Sequence, residues 1–205
     1  MIGKRQIAAA VLASLGAGAA LAGDGERKEI FYFEMPGDGL AMTHNGRHLL
    51  PTGPAGIGLL TEPGADKGLL LIAKLRNEQG EVVGTASEAE WFPNPENMSE
   101  PWHATWTIMI PGRGHVVGYE LERVSPTAAQ IFGKVAAGEE WSGEFYEQVA
   151  IGPLPSGDGL ILGGSGEFTG ATGMLSEWAR LTRMTPDGVM HGRIELHVTW
   201  MPPSR

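Results

Sequence analysis

Thirty-one glycines and fourteen prolines cut this 205-residue chain into short pieces, and punctuation that dense argues against long helices. The pieces read as strands, rich in aliphatic and aromatic residues and bounded by turn formers. Residues 30–35 are compact and aromatic. Gly68–Arg76 is strongly apolar, and 77–80 reads as a turn into a strand over 82–92. Along Trp102–Ile110 the side chains alternate, so Trp102, Ala104, Trp106, Ile108 and Ile110 share one face. A turn at 111–114 leads into a strand over 115–123. Further strands are expected over 144–151, 159–163 and 174–184, and a Pro-Asp-Gly turn at 186–188 leads into 190–200. There Ile194, Leu196, Val198 and Trp200 stand opposite Arg193, Glu195, His197 and Thr199. Residues 36–67, polar and rich in Gly and Pro, are expected to form a long irregular excursion. Residues 94–101 are expected to form a second loop, and 125–138 to hold one short helical turn. About eight to nine strands joined by tight turns make an all-β fold, a single antiparallel barrel or sandwich.

The first 22 residues have the composition of a cleavable signal peptide. Lys4 and Arg5 form a short positive region, the apolar stretch from Ile7 to Ala20 is too short to span a bilayer, and Ala20-Leu21-Ala22 offers a small-x-small cleavage pattern. The expected product is periplasmic or secreted, with no membrane association after cleavage, and forms one domain over 23–205. It has 13 basic side chains (15 less Lys4 and Arg5) against 24 acidic ones, formally −11. Such a charge repels nucleic acid. Without cysteine, an exported chain must hold its fold by its core alone.

The run Leu160-Ile-Leu-Gly-Gly-Ser-Gly-Glu-Phe-Thr-Gly-Ala-Thr-Gly173 carries the most specific signal. Gly163, Gly164 and Gly166 are expected to take positive φ. Phe168 can plug a core, and Gly170 and Gly173 let the chain re-enter a strand. A phosphate cradle is disfavoured, because neither a Lys nor a helix-forming run follows. This run resembles the glycine-rich signature of plant dirigent proteins and allene oxide cyclase-like barrels, with Ser165 where Thr is usual. The stretch Gln79-Gly-Glu-Val-Val-Gly-Thr85 is similar to the family's early hairpin, and Thr107–Gly118 to its later one. The likeness spans roughly residues 68–200. It implies an eight-stranded antiparallel barrel around a largely apolar cavity that binds a hydrophobic, oxygen-containing small molecule and steers its cyclisation, isomerisation or coupling. It implies no cofactor and no metal, and an assembly of identical subunits, a homotrimer or homodimer. Residues 29–35 look like the family's first strand, in which Glu34 would be the cavity carboxylate; the cyclases place an Asn two residues on, where this chain has Pro36.

Three glutamates are candidates for acid–base work: Glu34, Glu90 and Glu177. Glu88 and Glu90 share one strand face, and paired carboxylates can divide acid and base roles when burial separates their pKa values; an exposed strand face gives the same spacing. Tyr32, Trp91, Trp106, Tyr119 and Tyr146 are candidate cavity aromatics, although Trp is also ordinary core material. The six histidines are scattered; His44 and His48 have an i, i+4 spacing that would suit a metal only on a helix, and Asn45-Gly46 between them suggests a turn instead. No nucleophile elbow occurs. Two further readings stay open: a carrier whose cavity only binds, and a filled barrel used as a structural or interaction module. A guiding or catalytic barrel requires a buried carboxylate with a raised pKa facing the cavity.

Overall fold

The computed structural model describes residues 25–44, 47–48, 67–94 and 97–202. The expected signal peptide lies outside them, as does most of the irregular excursion. Among the described residues the chain is all-β: twelve strands, one helix and a 3-10 turn at Gly166–Phe168. The strands are β1 (Arg27–Met35), β2 (Gly39–His44), β3 (Arg47–His48), β4 (Gly68–Arg76), β5 (Val82–Trp91), β6 (Trp102–Ile110), β7 (Gly114–Glu122), β8 (Trp141–Gln148), β9 (Ala150–Gly152), β10 (Gly159–Gly164), β11 (Thr172–Met184) and β12 (Met190–Met201). Eight of them, in the order β1-β12-β11-β10-β7-β6-β5-β4, close into an antiparallel barrel, with Tyr32 of β1 paired to Arg76 of β4 at the seam. β8 and β9 extend the wall by pairing with β11 and β7, and β2 and β3 extend it beyond β4.

Two expectations need correction. The segment after Pro36 is not wholly irregular: β2 lies along β4 and pairs Ala41–His44 with Leu69–Ile72. Helix α1 (Pro126–Ala136) runs for three turns rather than one. The Ser125 hydroxyl accepts from the Ala128 amide at 3.1 Å, and Pro126 opens the first turn, where a missing N–H is harmless. α1 buries Ile131. Among the described residues no helix is long and apolar enough to cross a membrane.

The seam is latched by side chains. Asp38, in the turn after β1, accepts from Nε and Nη2 of Arg76 at 2.6 and 2.8 Å, and from the amide of Glu34 at 3.0 Å. Fork-to-fork pairing of this kind fixes orientation as well as charge.

One end of the barrel is filled. Phe31, Leu75, Trp106, Ile108, Val116, Leu175, Leu196, Val198 and Trp200 are all buried there or at mid-height. Phe168 caps them against Trp200, 4.8 Å between rings. Arg113 then straps the end, holding Glu29 through two 2.7 Å contacts and Glu167 through contacts of 2.9 and 2.6 Å. The glycine-rich run supplies the turn beneath this strap. Gly166 takes φ +63°, and a side chain on it would strike the Arg113 carbonyl. Gly164 differs from expectation, because its φ is not positive. Its requirement is steric: an added Cβ would lie 2.2 Å from the His115 carbonyl oxygen and 2.8 Å from Phe168 Cβ. Gly163 and Gly173 take positive φ inside strands, and Gly170 does so in the turn between them.

Candidate functional site

Strand alternation decides what the opposite end contains. β6 points Trp102, Ala104 and Trp106 inward. The β6–β7 hairpin pairs Trp102 with Glu122, Ala104 with Glu120 and Trp106 with Gly118. β5 pairs Glu88 with Trp106 and Glu90 with Ala104. Residues directly opposite each other in a ladder lie on the same face, so Glu88, Glu90, Glu120 and Glu122 all point into the barrel. Glu177 of β11 joins them: its amide donates to Glu120 Oε1 at 3.0 Å. Small neighbours make the room. Ala104 sits between Glu90 and Glu120, and a Cβ on Gly159 would lie 2.4 Å from Glu120 Cγ.

Above these acids a cavity of about 540 Å3 opens toward α1. Phe33, Leu71, Phe92, Trp102, Phe145 and Ile194 line its walls, with Ala128, Ile131 and Phe132 of α1 on one side and Glu88, Glu90 and Glu177 among the lining. The indole of Trp102 donates to Glu90 Oε1 at 2.7 Å and to Glu122 Oε2 at 3.1 Å. The indole N–H of Trp106 faces Glu120 and Glu177 without completing a hydrogen bond to either. One oxygen on each of Glu88, Glu120, Glu122 and Glu177 is buried with no partner.

Removal from water is the dominant influence on all five carboxyls, and it favours the neutral acid. Burial pushes Glu120 up to about 8, with the Glu122 carboxyl and the Glu177 amide acting against it. Glu88, Glu122 and Glu177 are raised well above the ordinary range by burial and then by neighbouring carboxyls. Glu90 is raised by burial and restrained by Glu122 and the Trp102 N–H. Two triads, Glu88/Glu90/Glu122 and Glu120/Glu122/Glu177, each place one oxygen per residue within 4.8 Å of the others, an all-oxygen set of the type hard divalent cations take.

The residues singled out from sequence separate by face. Glu90 and Glu177 line the cavity. Glu34 does not: alternation in β1 buries Phe33 and Met35 and leaves Glu34 exposed outside. Of the five aromatics only Trp106 is inside, and it lies beneath the acids rather than on the cavity wall. Tyr32 rests under the Arg193 guanidinium, 5.0 Å from ring to charge. Trp91 is exposed. Tyr119 stacks on His103 and its hydroxyl lies 2.6 Å from His103 Nδ1. Tyr146 is exposed, packs against Trp178 and donates to Glu195 at 3.1 Å. Cavity aromatics come instead from Phe33, Phe92, Trp102, Phe132 and Phe145. Glu120 and Glu122 were missed altogether. A signal for them existed in the β6–β7 turn, because a hairpin closing at Ile110 and Gly114 lays both opposite the inward Trp102 face.

No family model matches the chain, and no curated protein sequence matches it significantly.

Proposed function

We propose that this protein is a small-molecule barrel that encloses one hydrophobic, oxygen-containing ligand and guides a rearrangement of it, a cyclisation, isomerisation or stereoselective coupling. The observation that carries this reading is the placing of Glu88, Glu90 and Glu177 on the lining of a largely apolar cavity. A pocket of this volume is in the range that small-ligand sites occupy, about 300–1,000 Å3. The resemblance of the glycine-rich run to dirigent and allene oxide cyclase-like barrels supports the same substrate class.

The chemistry follows from desolvated acids. A carboxyl kept neutral at physiological pH donates a hydrogen bond or a proton to a ligand oxygen, and a neighbouring carboxyl relieved of its proton accepts one elsewhere on the ligand. Glu88 and Glu177 line the cavity and hydrogen-bond to each other, so they are the donor and acceptor of choice. The Trp102 N–H steadies negative charge on Glu90 and Glu122 as it forms. The walls fix one conformer of a flexible ligand, which is the entropic part of the catalysis.

The test is native mass spectrometry of protein purified from the cells that make it, followed by denaturation to release what is bound. A stoichiometric hydrophobic metabolite is expected, and Glu177→Gln should lose its conversion; conversion unchanged in both Glu88→Gln and Glu177→Gln would leave a carrier. An empty protein that also fails to take up aromatic and fatty oxygenated compounds would sink the reading. Glu34→Gln, on the outer face, is the control and should change neither binding nor conversion.

A further inference from the structure

Five acids converge inside the barrel, and among the described residues no basic side chain answers them. None of the five takes part in an ion pair among the described residues. Among the described residues Arg123 is the one basic side chain on the cavity lining, and it is exposed at the rim. By contrast Glu195, on the outer face of β12, is surrounded by Arg180, Arg193, His197 and the Tyr146 hydroxyl. The barrel wall therefore pairs its buried acid with cations, whereas the cavity acids have none.

Two independent observations meet at this point. Glu88 and Glu177 are each 8 % exposed, their carboxyls hydrogen-bond to each other, and each still keeps one buried oxygen without a partner. The cavity they line is walled by the rings of Phe33, Phe92, Trp102 and Phe145. A neutral ligand can accept a hydrogen bond from a protonated acid, yet it leaves the excess of acceptor oxygens unanswered. An ammonium group supplies N–H donors and positive charge together, and aromatic ring faces attract the same charge. Burying an ammonium in such a site is tolerable only against a carboxylate at contact distance, and the site offers several.

Resting on the ligand-binding reading of the cavity, we propose that the ligand carries a basic nitrogen: a hydrophobic amine bound as its ammonium ion, with N–H groups on Glu88 and Glu177 and its apolar body along the ring walls toward α1. Glu90, the third of these acids on the lining, stays available to donate to an oxygen of the same molecule. The proton balance is simple. A free amine takes its proton from one cavity acid on entry, or an ammonium ion enters and a cavity acid releases its proton to solvent.

Calorimetric titration at neutral pH with a matched pair, 6-phenylhexylamine and 6-phenylhexan-1-ol, tests this on the intact protein. The amine should bind at least about tenfold more tightly than the alcohol. Glu88→Gln or Glu177→Gln, which keep shape and remove charge, should bring the amine down to the alcohol's affinity and leave the alcohol unchanged. Glu34→Gln should keep the full preference. Equal affinity for the two probes overturns the inference while the cavity remains a ligand site; failure of both probes to bind, together with the oxygenated compounds, overturns the ligand-site reading as well. A preference that persists in both glutamine variants overturns the assignment to Glu88 and Glu177. Stoichiometric uptake of calcium or manganese that blocks the amine would show that the missing charge is a metal ion, and also overturns it.

Discussion

Glu120 has no exposed surface, and burial holds its carboxyl protonated up to about pH 8. In the unfolded chain the same group ionises near its ordinary value of 4.5. Between these two values the folded protein binds a proton that the unfolded chain has released, so stability falls as pH rises through this window. Asp38 and Glu167 are shifted the other way. Hydrogen bonds from Arg76 and from Arg113 hold them below their ordinary values. Their contribution is present above the unfolded pKa and is lost only as pH falls through the folded pKa, at the acid end. The interval from about pH 5 to 8 thus belongs to the buried acids, and the melting temperature should decline across it. Glu120→Gln keeps the shape and cannot ionise. It should flatten that decline, leaving the melting temperature near wild type at the acid end and raising it by several degrees near pH 8. A decline of unchanged slope in this variant would show that Glu120 ionises freely in the folded state.

At the scale of single elements, what could be read in the chain depended on whether polarity and orientation agree. β12 was legible because its apolar residues, Ile194 to Trp200, are the inward ones. β6 was legible for the same reason. β7 inverts the rule: Val117, Tyr119 and Leu121 make the apolar row, yet Val116, Gly118, Glu120 and Glu122 are the buried ones. Its orientation is imposed by the hairpin with β6 rather than by its own pattern, so reading β7 alone conceals two of the five acids. Glu34 failed for a related reason, since a family likeness places a residue in sequence while the phase of Phe31, Phe33 and Met35 places it in space. The glycine-rich turn was legible in role and less so in mechanism. Gly164 is required by contact, not by φ, and Gly164→Val should destabilise by about 3 kcal/mol or more, because backbone rather than a yielding side chain stands in the way. Soluble yield and melting temperature check this, and an unchanged melt would mean that β10 can move away from His115.

For the molecule as a whole, the two ends of one barrel do different work. The Arg113 end is strapped by ion pairs to Glu29 and Glu167, and the α1 end holds the cavity. Closure depends on a short seam, one β1–β4 pairing reinforced by the Asp38–Arg76 fork. Arg76→Ala leaves the Asp38 carboxylate with the Glu34 amide but without its cation, which should lower the melting temperature by several degrees. Hydrogen exchange should show the loss first in β1, β2 and β4; a uniform loss across all strands would mean that the seam does not open independently.

The inward acids of β7 also bear on how such a sequence persists through generations. Slipping that strand by one residue would hand its apolar row to the interior and its glutamates to water, so the native register runs against the chain's own preference. Mutations of Glu120 or Glu122 to apolar residues would relieve that conflict. A lineage under selection for abundance alone would therefore drift away from these two glutamates early, and their survival would record a demand that folding by itself never makes.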